Sequence, residues 1–387
     1  MKVIKILLLF LLISTLSGCA DYRELSDMAI VSSFGIDKVD DEYRITSQIL
    51  DSKQKSEGDT GSTTPEIVVY NSTGKTLHEA IRNATLQAPK KLYVGHVETV
   101  IISENFAKEN ISEMFDFFLR DVEASKDFNI LLAKDYSITD IMDILTPLET
   151  IPASNIASSI EIATKLQGST DEVTFEKFVS NVLKTGIDAV IPVVTIEEEK
   201  SENEEINPKK RLALTKEFGV FKKDKFLTYI SEDASLGYNL LNMNVDASVI
   251  SFKCDKERYA SMELVSNKSK ISYDIKKNTL NTEVNLKGAL SELNCDMELT
   301  KEKDAKKLEK ELETRLHDIV EETINEAIKN YKSDFLGVGQ SIFQNNYKYY
   351  QKNKDNIEDI IKNMKRNIKI KAEFIQKGSI KRGDEKY

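Results

Sequence analysis

Leu16-Ser17-Gly18-Cys19 carries the most definite chemistry in the chain. It closes an apolar stretch, Ile6 to Leu16, that begins just after Lys2 and Lys5. A basic start, about ten apolar residues and a small-residue cleavage site make a secretory signal peptide. A cysteine directly after Leu-Ser-Gly makes it a bacterial lipoprotein signal: the thiol receives a diacylglyceryl group, and cleavage leaves Cys19 as the first mature residue. The competing reading is a chance cysteine at the end of an ordinary signal peptide. Four positions agree against it, in register with the basic and apolar regions.

Two acyl chains hold a protein stably where one holds it marginally, since each buried methylene contributes roughly 0.8 kcal/mol. The apolar run is too short to span a bilayer, which takes about 20 residues, and no later stretch matches its apolarity. The expectation is a folded body tethered to the outer face of a membrane through Cys19.

Other chemistry is sparse. The three histidines, His78, His96 and His317, stand alone in sequence, and no His-Glu-x-x-His occurs. There is no Gly-x-Ser-x-Gly elbow. Gly337-Val338-Gly339 follows a helix rather than a strand, so it reads as a helix stop and not a phosphate loop. The 64 carboxylates make acid pairs abundant and any one pair uninformative. The sequence is therefore read as non-enzymatic, with no metal and no cofactor. His96 is expected to be a buried, satisfied histidine rather than a ligand. Cys254 and Cys295 can form a disulfide outside the membrane or serve as two buried thiols; no Cys-x-x-Cys spacing supports a metal or redox motif.

The 387 residues are 40% hydrophobic and 30% charged, which fits a folded body of two or three domains. The formal charge is −10, and about −12 once Lys2 and Lys5 leave with the signal, which argues against nucleic acid as a partner. The acidity is uneven. From Lys362 to Arg382 the only acid is Glu373 among eight Lys/Arg. That run reads either as a solvated face or as a contact with anionic headgroups.

Periodicity supplies the frame. Met28 to Asp37, Tyr43 to Leu50 and Ile67 to Asn71 read as strands, with a polar loop from Asp51 to Thr64. Thr76-Leu77-His78-Glu79 is a capping box opening a helix. Val97 to Ile102 and Phe128 to Ala133 read as strands. Helices are expected after Asn110 and Ser137, the latter stopping near Pro147, and from Phe175 to Leu183. Ala189 to Ile196 is a β-branched strand whose Pro192 suits an edge or a strand start. Glu197 to Pro208 reads as an acidic loop, and Leu212 to Phe221 with Phe226 to Ile230 as a hairpin. The early and late strands are expected to share one sheet in a discontinuous domain, residues 19–75 plus 187–242. An α/β module, residues 76–186, is inserted between them. Residues 243–387 form a third domain. It holds four strand-like runs, Val245 to Phe252, Tyr259 to Val265, Lys270 to Ile275 and Leu280 to Leu290. A helix from Lys301 to Asn330 follows, then a helix near Asn356 to Lys365 and a strand at Ile368 to Ile375. The stripe Leu308, Leu312, Leu316, Ile319, Ile324 faces that sheet or, failing that, a partner helix. The fold class is mixed α+β and α/β: three domains, each a mixed or antiparallel sheet with helices on it. Tyr331, Phe335, Phe343, Tyr347, Tyr349 and Tyr350 form either core with a rim or a binding surface.

Several segments resemble the Ger(x)C spore germination lipoproteins. These are Arg23-Glu24-Leu25 and Gly35-Ile36-Asp37 behind Cys19, Lys91-Leu92-Tyr93-Val94-Gly95-His96, and Ile102-Ser103-Glu104. Phe117-Phe118-Leu119-Arg120-Asp121, Ile191-Pro192, Gly219-Val220-Phe221-Lys222 and Asp334-Phe335-Leu336-Gly337-Val338-Gly339 continue the likeness. Ala20-Asp21 stands where the family usually shows Trp-Asp, and tryptophan is absent throughout. The resemblance implies a three-domain lipoprotein on the outer face of the spore inner membrane. It would be the C subunit of a nutrient germinant receptor, assembled with integral membrane subunits of the A and B type. It transfers no catalytic residue, only lipidation at Cys19. The alternatives are a solute-binding lipoprotein serving a transporter and an envelope scaffold.

Overall fold

The computed structural model describes residues 28–50, 67–144, 146, 151–198, 210–245 and 247–376. Cys19 and its signal, the loop from Asp51 to Thr64, the helix stop near Pro147, nearly all of the acidic loop from Glu197 to Pro208 and the basic tail beyond Gln376 lie outside them.

Strands β1 (Met28–Val39), β2 (Glu42–Leu50) and β3 (Ile67–Gly74) are antiparallel neighbours. Asp40 and Asp41 take positive φ in the β1–β2 turn, a conformation that short polar side chains tolerate. Thr76 caps helix α1 (Leu77–Asn83) by accepting from the Glu79 amide at 3.1 Å. Glu79 reaches back one residue further than a capping box requires, to the Lys75 amide at 2.7 Å. β4 (Lys91–Tyr93) pairs with the start of β1, and β5 (Thr99–Ile102) with its middle. Helices α2 (Glu104–Glu109) and α3 (Ser112–Arg120) lead to β6 (Asn129–Ala133). After α4 (Ile138–Met142), α5 (Pro152–Leu166) and α6 (Phe175–Leu183) come β7 (Ala189–Glu198), β8 (Lys210–Lys222) and β9 (Lys225–Ile230).

These strands make one nine-stranded sheet among the described residues, ordered β3-β2-β1-β5-β6-β7-β8-β9, with β4 beside β1. Strands β1, β5, β6 and β7 run parallel. They carry apolar runs such as Val100-Ile101-Ile102 and Ile130-Leu131-Leu132, as strands covered on both faces must. Val100, Ile102, Ile130 and Leu132 enter the core with Phe106, Phe118, Phe128, Phe175 and Phe178. Ile101 and Leu131 point the other way, to Ile138, Ile141, Ile156 and Ile160.

This topology corrects the inserted module. The early and late strands do share a sheet, but β5 and β6 of residues 76–186 lie between them and close it. Each parallel step, β1 to β5, β5 to β6 and β6 to β7, needs a crossover, and the helices of residues 76–186 lie in those crossovers. Pro192 is likewise not on an edge. It lies in β7, between β6 and β8, where the register with β8 shifts between Pro192 and Val194. A bulge tolerates the missing N–H.

Helix α7 (Glu232–Asn242) joins the second sheet, β10-β11-β12-β13. Its strands are β10 (Val249–Lys253), β11 (Tyr259–Asp274), β12 (Thr279–Leu293) and β13 (Lys365–Gln376). The runs at Tyr259 and Lys270 are one strand of 16 residues. A bulge between Leu264 and Ser266 breaks the alternation that made them look like two. Helix α8 (Glu302–Ile324) continues as a π-helix through Asn330, and its stripe packs on this sheet. The same core takes in Val190, Phe218, Val220 and Ile230 of the first sheet, so α7 and α8 join the two bodies. Cys254 and Cys295 lie side by side, their Cα atoms 6.2 Å apart, within the span a disulfide bridges.

Helices α9 (Val338–Asn345), α10 (Tyr347–Asn353) and α11 (Ile357–Lys362) precede β13. Gly337 is therefore a helix start: it sits at φ 70° as the N-cap residue of α9.

The joint between the two sheets as candidate functional site

The site is built from two turns. The first leaves α6 at Lys184, passes Gly186 at φ 79° and enters β7 through Asp188. The second runs from Ser333 to Gly339 and opens α9. Only glycine fits at residue 186: a Cβ there would stand 2.5 Å from the Gly339 carbonyl carbon and the Gln340 nitrogen. The two backbones thus touch, and the Gln340 amide donates to the Gly186 carbonyl at 2.5 Å.

Two carboxylates organise the contact. Asp188 Oδ2 accepts from the Ser333 hydroxyl at 2.9 Å and from the Asp334 amide at 2.8 Å. Asp334 accepts from the Val338 amide at 2.9 Å and the Gly339 amide at 2.6 Å, anchoring the first turn of α9. Enclosure raises both carboxyls above their ordinary values, and Asp334 reaches about 7 despite its amide donors. On the rim, Lys222 Nζ donates to the Lys332 carbonyl at 2.9 Å and pairs with Glu358 at 2.9 Å. Together these groups floor a cleft of about 560 Å³ whose walls include Lys184, Lys223, Tyr350 and Ile357. Both carboxylates are engaged by amides or a hydroxyl, so the arrangement acts as a clasp between the bodies.

Two of the family-like segments, Gly219 to Lys222 and Asp334 to Gly339, meet at this clasp. Two others, Lys91 to His96 and Phe117 to Asp121, meet beside α1, where Leu92, Val94, Phe117 and Asp121 line one small hollow. There α1 and α3 frame an open groove of about 920 Å³ lined by His78, Arg82, Phe117 and Arg120.

The histidines sit on three separate elements. His78 is exposed, 3.4 Å from Arg82 Nε. His96 is exposed rather than buried, 3.7 Å from Glu98, because it falls in the turn between β4 and β5. His317 lies on α8, 3.8 Å from Glu321. Among the described residues no three His, Cys, Asp or Glu side chains form a group that could hold a metal. No described helix is long and apolar enough to cross a membrane. Of the aromatic cluster, Phe335 is core, while Phe343 packs edge-on against Tyr347 and Tyr350, with Tyr347 exposed.

Sequence reasoning passed over Asp188 and read Gly186 only as a helix end. The one local signal was Asp334 itself, an aspartate placed to cap the helix that Gly337-Val338-Gly339 opens.

Comparison with known proteins agrees with this architecture. Residues 21–196 match the family described as spore germination protein N-terminal domain. Residues 216–378 match the one described as spore germination B3/GerAC-like, C-terminal. Spore germination protein KC of Bacillus subtilis (strain 168) is 26% identical over 371 residues, covering 92% of this chain and 90% of that one. The putative spore germination protein YfkR of the same organism is 28% identical over 233 residues, 59% of this chain and 58% of its own. The crystal structure of the GerBC protein superposes with a TM-score of 0.54 at 17% identity, covering 89% of this chain and 97% of that one, which shows a common fold. With both halves matched in order and a relative aligned nearly end to end, the chain belongs to the Ger(x)C family of spore germination proteins.

Proposed function

We propose that this chain is the lipid-anchored C subunit of a spore nutrient germinant receptor, on the outer face of the spore inner membrane, where it works without catalysis. One observation carries the reading: a lipoprotein signal ending at Cys19 stands eight residues ahead of the first strand of a Ger(x)C body. The diacylglyceryl group on Cys19 is the membrane anchor, and integral subunits of the A and B type are the partners. In this reading the clasp at Asp188 and Asp334 keeps two unlike bodies in one orientation for those partners. Nine strands against four do not make the matched lobes of a solute-binding lipoprotein, which supports the receptor reading over the transporter one.

Mass spectrometry of the mature protein from spores tests the anchor: a diacylated N-terminal Cys19 is expected, and an unmodified N-terminus overturns it. Deletion of the gene tests the role. Slowed or lost germination with particular nutrients is expected; unchanged germination with every nutrient, in a strain stripped of related receptors, refutes it.

A further inference from the structure

The second sheet has one face on α8 and one face open. On the open face, cross-strand register sets charges in rows. Glu283 of β12 lies between Lys270 of β11 and Lys369 of β13; Asn285 lies between Lys268 and Lys371; Lys287 lies beside Glu373. Directly opposed side chains in such rows are about 5 Å apart. Lys369 pairs with Glu283 at 3.8 Å and Lys287 with Glu373 at 3.3 Å. Lys268, Lys270 and Lys371 are exposed and have no ion-pair partner among the described residues. The next acids along the face on β11 are Asp274, four residues beyond Lys270 and 4.0 Å from Lys277, and Glu263, three residues before Ser266. The block is thus net positive on a chain whose net charge is −10. Beside it, Val265 and Ile375 stand 54% and 46% exposed, on the two strands that flank Gly288.

We propose that this face docks on the anionic lipid surface of the membrane that holds the anchor. The inference rests on the Cys19 reading. The eight residues from Ala20 to Asp27 then allow the body no more than about 30 Å from its lipid. That tether lets the face come within a Debye length, about 8–10 Å, of the headgroups, where unpaired lysines are drawn to phosphate and apolar side chains next to them enter the interface. Acidic character elsewhere on the chain sets the orientation, because the remaining surface is repelled by the same charge. The lipid chains fix how firmly the protein is held; the lysine rows fix which side faces down.

The test uses the full lipoprotein, reconstituted in vesicles of phosphatidylcholine alone and in vesicles one-third phosphatidylglycerol. Amine acetylation is read lysine by lysine with mass spectrometry. Lys268, Lys270 and Lys371 are expected to react several-fold more slowly on the anionic vesicles, with the difference erased by high salt. Lys307 and Lys310 on α8, on the far side of the sheet, are expected to react alike on both. A Lys268→Glu, Lys371→Glu variant is expected to lose the protection at Lys270. Equal rates on the two vesicle types overturn the proposal. So does protection that appears only when the integral subunits are present, which would assign the face to a protein partner. Flotation with the neutral vesicles reports the anchor separately. A protein that fails to float there defeats the Cys19 reading, whereas one that floats without protection on anionic vesicles defeats only the docking face.

Discussion

Asp188 and Asp334 hold each other by one main-chain bond and one bond to a carboxylate. The Asp188 amide donates to the Asp334 carbonyl at 3.1 Å, and the Asp334 amide donates to the Asp188 carboxylate at 2.8 Å. Two bonds in opposite directions fix both the distance and the rotation of the two turns. Neither turn belongs to a regular ladder, so these bonds, with the Gln340-to-Gly186 bond beside them, determine how the entry to β7 meets the start of α9.

Gly186→Ala is the direct test of that clasp. The new Cβ would lie 2.5 Å from Gly339 and Gln340 backbone atoms, and residue 186 would keep a left-handed φ. Backbone atoms cannot swing aside as a flexible side chain can. A loss of about 2–4 kcal/mol is expected, read as a lowered midpoint in urea. Gly95→Ala is a suitable comparison: its closest clash falls on the tip of the Tyr93 side chain at 2.5 Å, with backbone no nearer than the Glu123 carbonyl at 3.0 Å, and a smaller loss is expected.

Asp334 should make the fold sensitive to pH. Enclosure holds its carboxyl at about 7 in the folded protein against 3.8 for a free aspartate. Between those values the folded chain keeps a proton that the unfolded chain has released, so stability falls as pH rises through this window. The slope from this one group is at most about 1.4 kcal/mol per pH unit. Asp334→Asn cannot titrate and keeps one acceptor for an α9 amide. Its melting temperature should be lower than wild type at about pH 5 and should fall less between there and about pH 8. An unchanged slope in the variant would assign the pH dependence elsewhere, to Asp188 or Glu326, which burial also raises.

The readable parts of this fold were the ones written locally. Thr76, Ser137 and Thr174 each cap the helix that follows them through a side-chain oxygen, and the α8 stripe from Leu308 to Ile324 shows plainly in the spacing. Helix α5 escaped because Ala153, Ile156 and Ile160 are its buried apolar positions among small polar residues. Helix α7 escaped because Gly237 and Asn239 interrupt its pattern. The sheet order was illegible for a different reason. Nothing in Val100 or Ile130 says that β5 and β6 lie between β1 and β7; that is decided by packing on both faces at once. The joint was equally hidden, since Asp188 and Asp334 are 146 residues apart.

The Cys254–Cys295 pair closes a loop across 41 positions. If the bridge forms in the mature protein, as we propose for a chain outside the cytoplasm, it removes loop entropy from the unfolded state. The chain-entropy relation gives about 4 kcal/mol for a loop of that size. Cys254→Ala with Cys295→Ala should therefore lower the unfolding free energy by a few kcal/mol, and dithiothreitol should destabilise wild type but not the double variant. Peptide mapping without reductant is the direct reading; two free thiols in protein taken from spores would return both residues to the role of small buried hydrophobes.

Gly237 sets how closely α7 approaches α8. A Cβ at this position would stand 2.0 Å from Thr323 Oγ1 and 3.1 Å from the Ile319 carbonyl. Thr323 cannot turn away freely, because its hydroxyl donates to the Ile319 carbonyl at 2.8 Å and lies 3.2 Å from the Ala234 carbonyl. In an exposed helix Gly→Ala would stabilise by about 1 kcal/mol. Here overpacking should reverse the sign, for a net loss of about 1–3 kcal/mol. Thr323→Ala alone should also cost stability, since it empties space beside Ile319. Combined, the two changes should partly cancel: the alanine at 237 fills what the lost hydroxyl vacates, leaving the tighter contact at Ile319. A double-mutant cycle in urea measures the coupling, with a favourable interaction of at least about 1 kcal/mol expected. Strict additivity would mean that the helices separate to accept the new methyl group, and that the close crossing does not hold the two bodies together.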